Sequence, residues 1–342
     1  TSLPAAGQGT NTTASTTQTS SSAGPTTVSS RLTQITAGPV VPGVLAIDVA
    51  PLDASSSPDT KVEYVERGSG NVYSYSAHAA QITRTSNKTV PGLERAAWLP
   101  DGSTAFVQYL SGNEYSTVNT YALRADGADG FFLPQNLAGL AVSSTSVLAL
   151  ASGVNGSSAS LYAPSGTSSR GIFTTPLSSI AVAFAGKGQY LAYTKPSSSL
   201  AGDAYLIDGN GTFTRIAGPL NGLVALPSPD GKWALVSYAS GTGAMQTELV
   251  NTSTHESLPL PVATIADKCV WSADDSAVYC GVPQNPSASF AYPDDWYQGA
   301  VSFSDRIWKI DVSGRFAQLV LDFNKETGKT LDAESLSVDP AL

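Results

Sequence analysis

The chain has 342 residues, only 13% of them charged, and is rich in Ser, Thr, Gly and Pro but poor in the strong helix formers, which excludes a helical bundle. A net charge of −9 with only 18 Lys and Arg excludes the cationic surface that phosphate recognition requires, so no nucleic-acid partner is expected. No window approaches the roughly 18 uncharged apolar residues that span a bilayer, and the length suits a repeat or a large β architecture.

Residues 1–30 contain no Lys, Arg, Asp or Glu and consist largely of Thr, Ser, Ala and Gly. Such a segment cannot bury enough apolar surface to offset its ordering entropy, which predicts a disordered Thr/Ser-rich tether. The composition suits a linker from an upstream membrane anchor, an O-glycosylated stalk, or a plain terminus without a role.

Residues 31–342 carry an internal repeat. The string Trp98-Leu-Pro-Asp-Gly-Ser-Thr-Ala-Phe returns as Pro227-Ser-Pro-Asp-Gly-Lys-Trp-Ala-Leu and as Trp271-Ser-Ala-Asp-Asp-Ser-Ala-Val-Tyr, with weaker copies at Val142 and Phe184 and partial ones at Ser57 and Val338. Its turn positions are Asp59, Asp101, Ser144, Lys187, Asp230, Asp274 and Asp339, spaced by 42, 43, 43, 43, 44 and 65 residues. Around each turn an apolar strand enters and an alternating one leaves. A third strand follows (Asn71-Val-Tyr-Ser-Tyr, Ser160-Leu-Tyr, Ala204-Tyr-Leu-Ile, Arg306-Ile-Trp-Lys-Ile), then a fourth (Gln81-Ile-Thr-Arg, Phe213-Thr-Arg-Ile). Four strands per period of about 40–45 residues predict an all-β fold, a β-propeller of four-stranded blades.

Six complete units run from about residue 41 to 321. A seventh begins at Glu334-Ser-Leu-Ser-Val-Asp-Pro, and Arg31-Leu-Thr-Gln-Ile reads as a fourth strand that would share its blade. A seven-bladed ring with a partial seventh blade is favoured, and six blades are the alternative.

The Pro-Asp-Gly turn followed by an apolar strand resembles the WD40-like PD40 repeat of TolB-type propellers. The strings Lys268-Cys-Val-Trp-Ser, Tyr292-Pro-Asp-Asp-Trp-Tyr-Gln-Gly and Val301-Ser-Phe-Ser-Asp-Arg-Ile-Trp-Lys-Ile-Asp are similar to those of uncharacterised envelope-associated propeller proteins of bacteria. The resemblance implies a bacterial envelope setting, and it leaves the ligand open.

The two cysteines, Cys269 and Cys280, bracket the turn of the last complete unit. Pairing them sets Val270 opposite Tyr279 and Trp271 opposite Val278, and brings the two Cβ atoms across adjacent strands at the separation a disulfide needs. Two buried free thiols are the alternative. A disulfide implies an oxidising, extracytoplasmic compartment, periplasm or cell surface.

The 65-residue interval holds an insertion of about 22 residues in blade six, near 283–304. It lies between strands two and three, on the propeller face that usually carries ligand sites. Tyr292, Asp294, Asp295, Trp296 and Tyr297 form the candidate binding group, since aromatics beside paired carboxylates suit a sugar or a peptide. The competing expectation is that the loop covers blade six and packs its aromatics inward. Oxygen donors also suit Ca²⁺, but no metal and no cofactor is assigned.

His78 and His255 fall between strands three and four of blades one and five, where a solvent-facing turn is expected. No Gly-x-Ser-x-Gly elbow, His-Glu-x-x-His helix or phosphate loop occurs. No catalytic residue is named, and whether the chain is an enzyme stays open, with no the favoured answer. The resulting expectation is a non-catalytic extracytoplasmic binding or scaffolding propeller presenting a loop face to an envelope protein, peptide or glycan. The alternative is a propeller hydrolase or lyase acting on an envelope glycan, with Asp294 or Asp295 as acid and base.

Overall fold

The computed structural model describes residues 26–29, 31–50, 58–86, 88–287 and 289–341. Among them lie six four-stranded antiparallel sheets, each a meander of consecutive strands. The chain divides into two compact units, Thr1–Gln135 and Asn136–Leu342. The first holds blade one (Leu45–Val49, Asp59–Val65, Val72–Ser76, Gln81–Arg84) and blade two (Leu93–Trp98, Thr104–Ser111, Thr117–Arg124, Phe131–Phe132). The second holds blade three (Leu137–Val142, Val147–Gly153, Gly156–Tyr162, Ser169–Thr175), blade four (Ile180–Phe184, Tyr190–Thr194, Ala201–Ile207, Phe213–Asn221), blade five (Val224–Pro227, Trp233–Ala239, Met245–Asn251, Ser257–Pro259) and blade six (Cys269–Trp271, Ala277–Pro283, Asp305–Asp311, Ala317–Asp322). The third- and fourth-strand segments expected from sequence fall on these strands.

Second strands form the heart of each blade. Val147–Leu150, Tyr190–Ala192 and Ala234–Ser237 are buried without a break, because both faces of these strands are covered and a continuous apolar run is then favoured over alternation. Apolar clusters bridge blades three and four through Leu148, Phe173, Ile180 and Tyr190, and blades four and five through Leu191, Leu223 and Val236. Within the first unit, Val65, Val72, Leu93, Trp98 and Tyr121 belong to one cluster.

The repeated aspartate acts locally. Asp101, Asp230 and Asp274 each accept, on Oδ1, the backbone N–H two residues on, from Ser103 (3.0 Å), Lys232 (2.9 Å) and Ser276 (3.1 Å). That carboxylate satisfies a turn donor that the hairpin ladder cannot reach. The departing copies build their turns differently. In blade three the hydroxyl of Ser143 accepts from Ser146 N at 3.1 Å, and in blade four Lys187 sits between Gly186 and Gly188, both at φ near +72°, a backbone only glycine adopts freely. Asp59 departs from the pattern. It opens the second strand of blade one, pairing with Val49, and its carboxylate accepts from Ser76 Oγ (2.6 Å) and His78 N (2.8 Å). Of the copy expected at Ser57–Val62 with its turn at Asp59, only Ser57 lies outside the described residues, and Asp59 falls on the strand instead of the turn.

The tryptophan before the turn also has one job in two places. Trp98 Nε1 donates to Gly43 O (2.8 Å), and Trp271 Nε1 donates to Leu226 O of blade five (3.3 Å). Each buried indole thus spends its only donor on backbone from an earlier segment, as a buried N–H must.

At the chain's two ends the pairing differs from expectation. The expected tether, residues 1–30, lies outside the described residues except for Thr26–Ser29, which pairs with Leu32–Gln34 in a two-stranded antiparallel ladder. Leu32–Gln34, expected to be a blade's fourth strand, is therefore paired locally. The partial seventh blade is not formed among the described residues, because 330–341 carry no strand. Backbone at the start of that stretch is instead engaged with blade six, where Asp305 N donates to Leu331 O at 3.0 Å.

Cys269 and Cys280 are joined, with their Cα atoms 4.1 Å apart. The register is the expected one, Cys269 with Cys280, Val270 with Tyr279 and Trp271 with Val278. His78 and His255 both lie in exposed turns between third and fourth strands.

Candidate functional site

Strands two and three of blade six pair as far as Pro283 with Asp305, and Gln284 N closes the base of the loop on Ser304 O at 2.8 Å. The intervening insertion, 284–304, is built by its own side chains. Asp295 accepts from Ala291 N on Oδ2 (2.8 Å) and donates its own N–H to Ala291 O (2.9 Å), which closes a turn around the short helix Asp294–Tyr297. Tyr292 is buried, with its ring 5.6 Å from that of Phe303 and its hydroxyl donating to Ser287 O at 2.9 Å; burial pushes its phenol above the ordinary range.

Asp294 fastens this loop to blade four. Its Oδ2 accepts from both the backbone N (3.0 Å) and the hydroxyl (2.7 Å) of Ser198, in the loop between strands two and three of that blade. Close by, Pro293 lies against Gly222, where any Cβ would meet Pro293 Cδ and Tyr292 O at 2.7 Å. The nominated residues are thus brought together, but not with equal access. Tyr292 faces the core, Asp294 and Asp295 hold the loop's shape, and Trp296 is half-buried. Tyr297 is 45% exposed, its hydroxyl donating to Asp267 Oδ2 at 2.7 Å. Phe290 (37%) and, on blade four, Leu200 (70%) are exposed as well.

Beneath Trp296 lies a charged cluster that sequence reasoning did not single out. Lys268, which ends the turn leading into blade six, is wholly buried, with Nζ 2.8 Å from Asp305 Oδ2 and also paired with Asp332 Oδ1. Its ammonium lies 4.8 Å from the Trp296 ring centre and 5.0 Å from that of Phe303, close enough for cation–π attraction in a desolvated setting. Asp332 Oδ2 accepts from Trp296 Nε1 (3.2 Å) and Phe303 N (2.8 Å), while Asp305 Oδ2 accepts from Ala333 N (2.7 Å). Burial pushes the Asp305 carboxyl above its ordinary range despite Lys268. Burial works the same way on Asp332, but Lys268, Phe303 N–H and Trp296 outweigh it and hold that carboxyl below the ordinary range. The one available signal was a lysine placed directly before the apolar first strand, in Ile265-Ala-Asp-Lys-Cys-Val-Trp.

No known protein family matches the sequence, and no curated protein does. Among solved structures, TolB from Acinetobacter baumannii superposes with a TM-score of 0.52 at 10% identity, over 86% of this chain and 82% of that one. An oligogalacturonate lyase in complex with manganese gives 0.55 at 11% identity, over 84% and 87%. The chain is a β-propeller. A puromycin-hydrolyzing peptidase from Mycobacterium tuberculosis gives 0.55 at 12% identity, the propeller covering 82% of itself but 45% of that longer chain. At these identities the likeness is one of fold, and it agrees with the TolB-type resemblance of the repeat.

Proposed function

We propose that this propeller is a non-catalytic, extracytoplasmic binding or scaffolding protein that presents the blade-six insertion to a protein, peptide or glycan of the bacterial envelope. One observation carries the reading: the turn around Asp294–Tyr297 is fixed by the bonds of Asp294 and Asp295 while Tyr297, Phe290 and the neighbouring blade-four residue Leu200 remain exposed. Exposed aromatics on a pre-formed support bind sugars or peptides at little ordering cost. The disulfide supports an oxidising compartment, periplasm or surface, and no helix among the described residues is long and apolar enough to cross a membrane. Residues 1–30 would serve as the tether. The hydrolase or lyase alternative draws on the lyase-like fold, but its nominated carboxylates are occupied, Asp294 with Ser198 and Asp295 with Ala291.

The test uses sedimentation with purified peptidoglycan sacculi, a glycan array and cross-linking to envelope fractions, comparing wild type with Tyr297→Ser combined with Leu200→Asp. Retention by at least one of these probes that falls tenfold or more in the variant, at an unchanged melting temperature, is expected. Equal retention by wild type and variant would remove the insertion from the binding surface.

A further inference from the structure

Among the described residues of the insertion no strand ties its far half to the sheet. Its first half is anchored by Asp294 on Ser198, and its return to blade six passes through Trp296 and Phe303, which are seven residues apart. Both turn to the same acceptor. Asp332 Oδ2 takes the Trp296 indole N–H and the Phe303 backbone N–H, and Oδ1 of the same carboxylate pairs with Lys268. Lys268 is in turn fixed by Asp305, the first residue of the third strand, with both side chains fully buried. The segment that carries Asp332 is seated from both sides. Leu331 O accepts from Asp305 N, Ala333 N donates to Asp305 Oδ2, and Ala333 Cβ occupies the space that a Cβ on Gly281 would need, 2.7 Å away.

We propose that Asp332, lying outside the insertion, is the positioning residue of the loop face: one carboxylate pins both Trp296 and Phe303 to the buried Lys268–Asp305 pair, so that the segment after the last strand of blade six sets the conformation in which Tyr297, next to Trp296, is presented. A neutral amide at this position keeps one oxygen but gives up the charge opposite Lys268, and a charge-assisted hydrogen bond is roughly twice as strong as a neutral one. An alanine leaves the Trp296 and Phe303 donors and the Lys268 ammonium without it. The purpose of the device rests on the binding reading above; its mechanics do not.

The experiment is hydrogen–deuterium exchange on the full chain for wild type, Asp332→Asn and Asp332→Ala, paired with the sacculus sedimentation assay. Amides of 291–303 are expected to exchange about tenfold faster in Asp332→Ala and by a smaller factor in Asp332→Asn, while strands of blades three to five keep wild-type protection. If the alanine variant does not fold, the asparagine variant decides the same question. Unchanged exchange in 291–303 would overturn the proposal, as would protection lost equally through blades three to five, which would make Asp332 a general stabiliser. Faster local exchange in a chain whose wild type binds no sacculi supports the positioning role and leaves only the binding reading to fall.

Discussion

Asp274 accepts from Ser272 Oγ at 2.7 Å, Ser276 Oγ at 2.8 Å and Ser276 N at 3.1 Å, all on one oxygen. These donors favour the charged form and bring its carboxyl down to about 2 from an ordinary 3.8. Because the folded value is the lower one, the unfolded chain binds the extra proton as the solution is acidified. The stabilisation is therefore present above about pH 4 and is lost as pH falls towards 2. Asp274→Ala should lower the melting temperature at pH 6, and the gap to wild type should close by pH 2. A carboxyl carbon that titrates near 4 in the NMR spectrum would contradict this. Turn aspartates were legible in the sequence because their partners lie two residues away. The same proximity explains why Ser143 was not, since a hydroxyl one residue off the marker position does the equivalent work in blade three.

At the scale of the element, the blades were legible because each is a meander of neighbours whose period survives even where the marker residue is lost. The third and fourth strands, the cysteine register and the place of the insertion all follow from local spacing. What holds the insertion was not legible, since Asp294 reaches Ser198 across 96 residues and Lys268 reaches Asp332 across 64. Neither has a partner that periodicity could name. The difference matters for Trp296, which sequence leaves between a binding residue and an inward-packed cover, and which covers Lys268 and donates to Asp332. Trp296→Ala should cost about 3 kcal/mol, the low end for removal of a buried tryptophan because this one is half-buried, and urea unfolding should show the midpoint falling. A midpoint within error of wild type would return Trp296 to the exposed binding group. Tyr297 lies on the same short helix and is 45% exposed, its ring 5.2 Å from that of Trp296, so its replacement tests the exposed side of the pair.

At the scale of the whole molecule, low charge, a net −9 and a repeat of near-constant period dictate a stack of similar blades, and sequence alone reaches that far. The setting in which the molecule works depends on a single covalent bond. Cys269 and Cys280 face each other across the first hairpin of blade six, in the same cluster as Leu249, Trp271 and Ile310. The bond closes a loop across a sequence separation of 11 residues, so chain entropy assigns it about 2–3 kcal/mol. Both sulfurs are buried, which shields the bond from reductant until blade six opens. Cys269→Ala with Cys280→Ala should accordingly lower the unfolding free energy by about that amount. Mild reductant removed before heating should leave the wild-type melting curve little changed, and treatment with reductant and denaturant together should shift it to that of the double variant. Peptide mapping under non-reducing conditions, on protein taken directly from its host cells, should find the 269–280 linkage. Two free thiols in that sample would move the protein out of an oxidising compartment and leave the envelope reading without its chemical support.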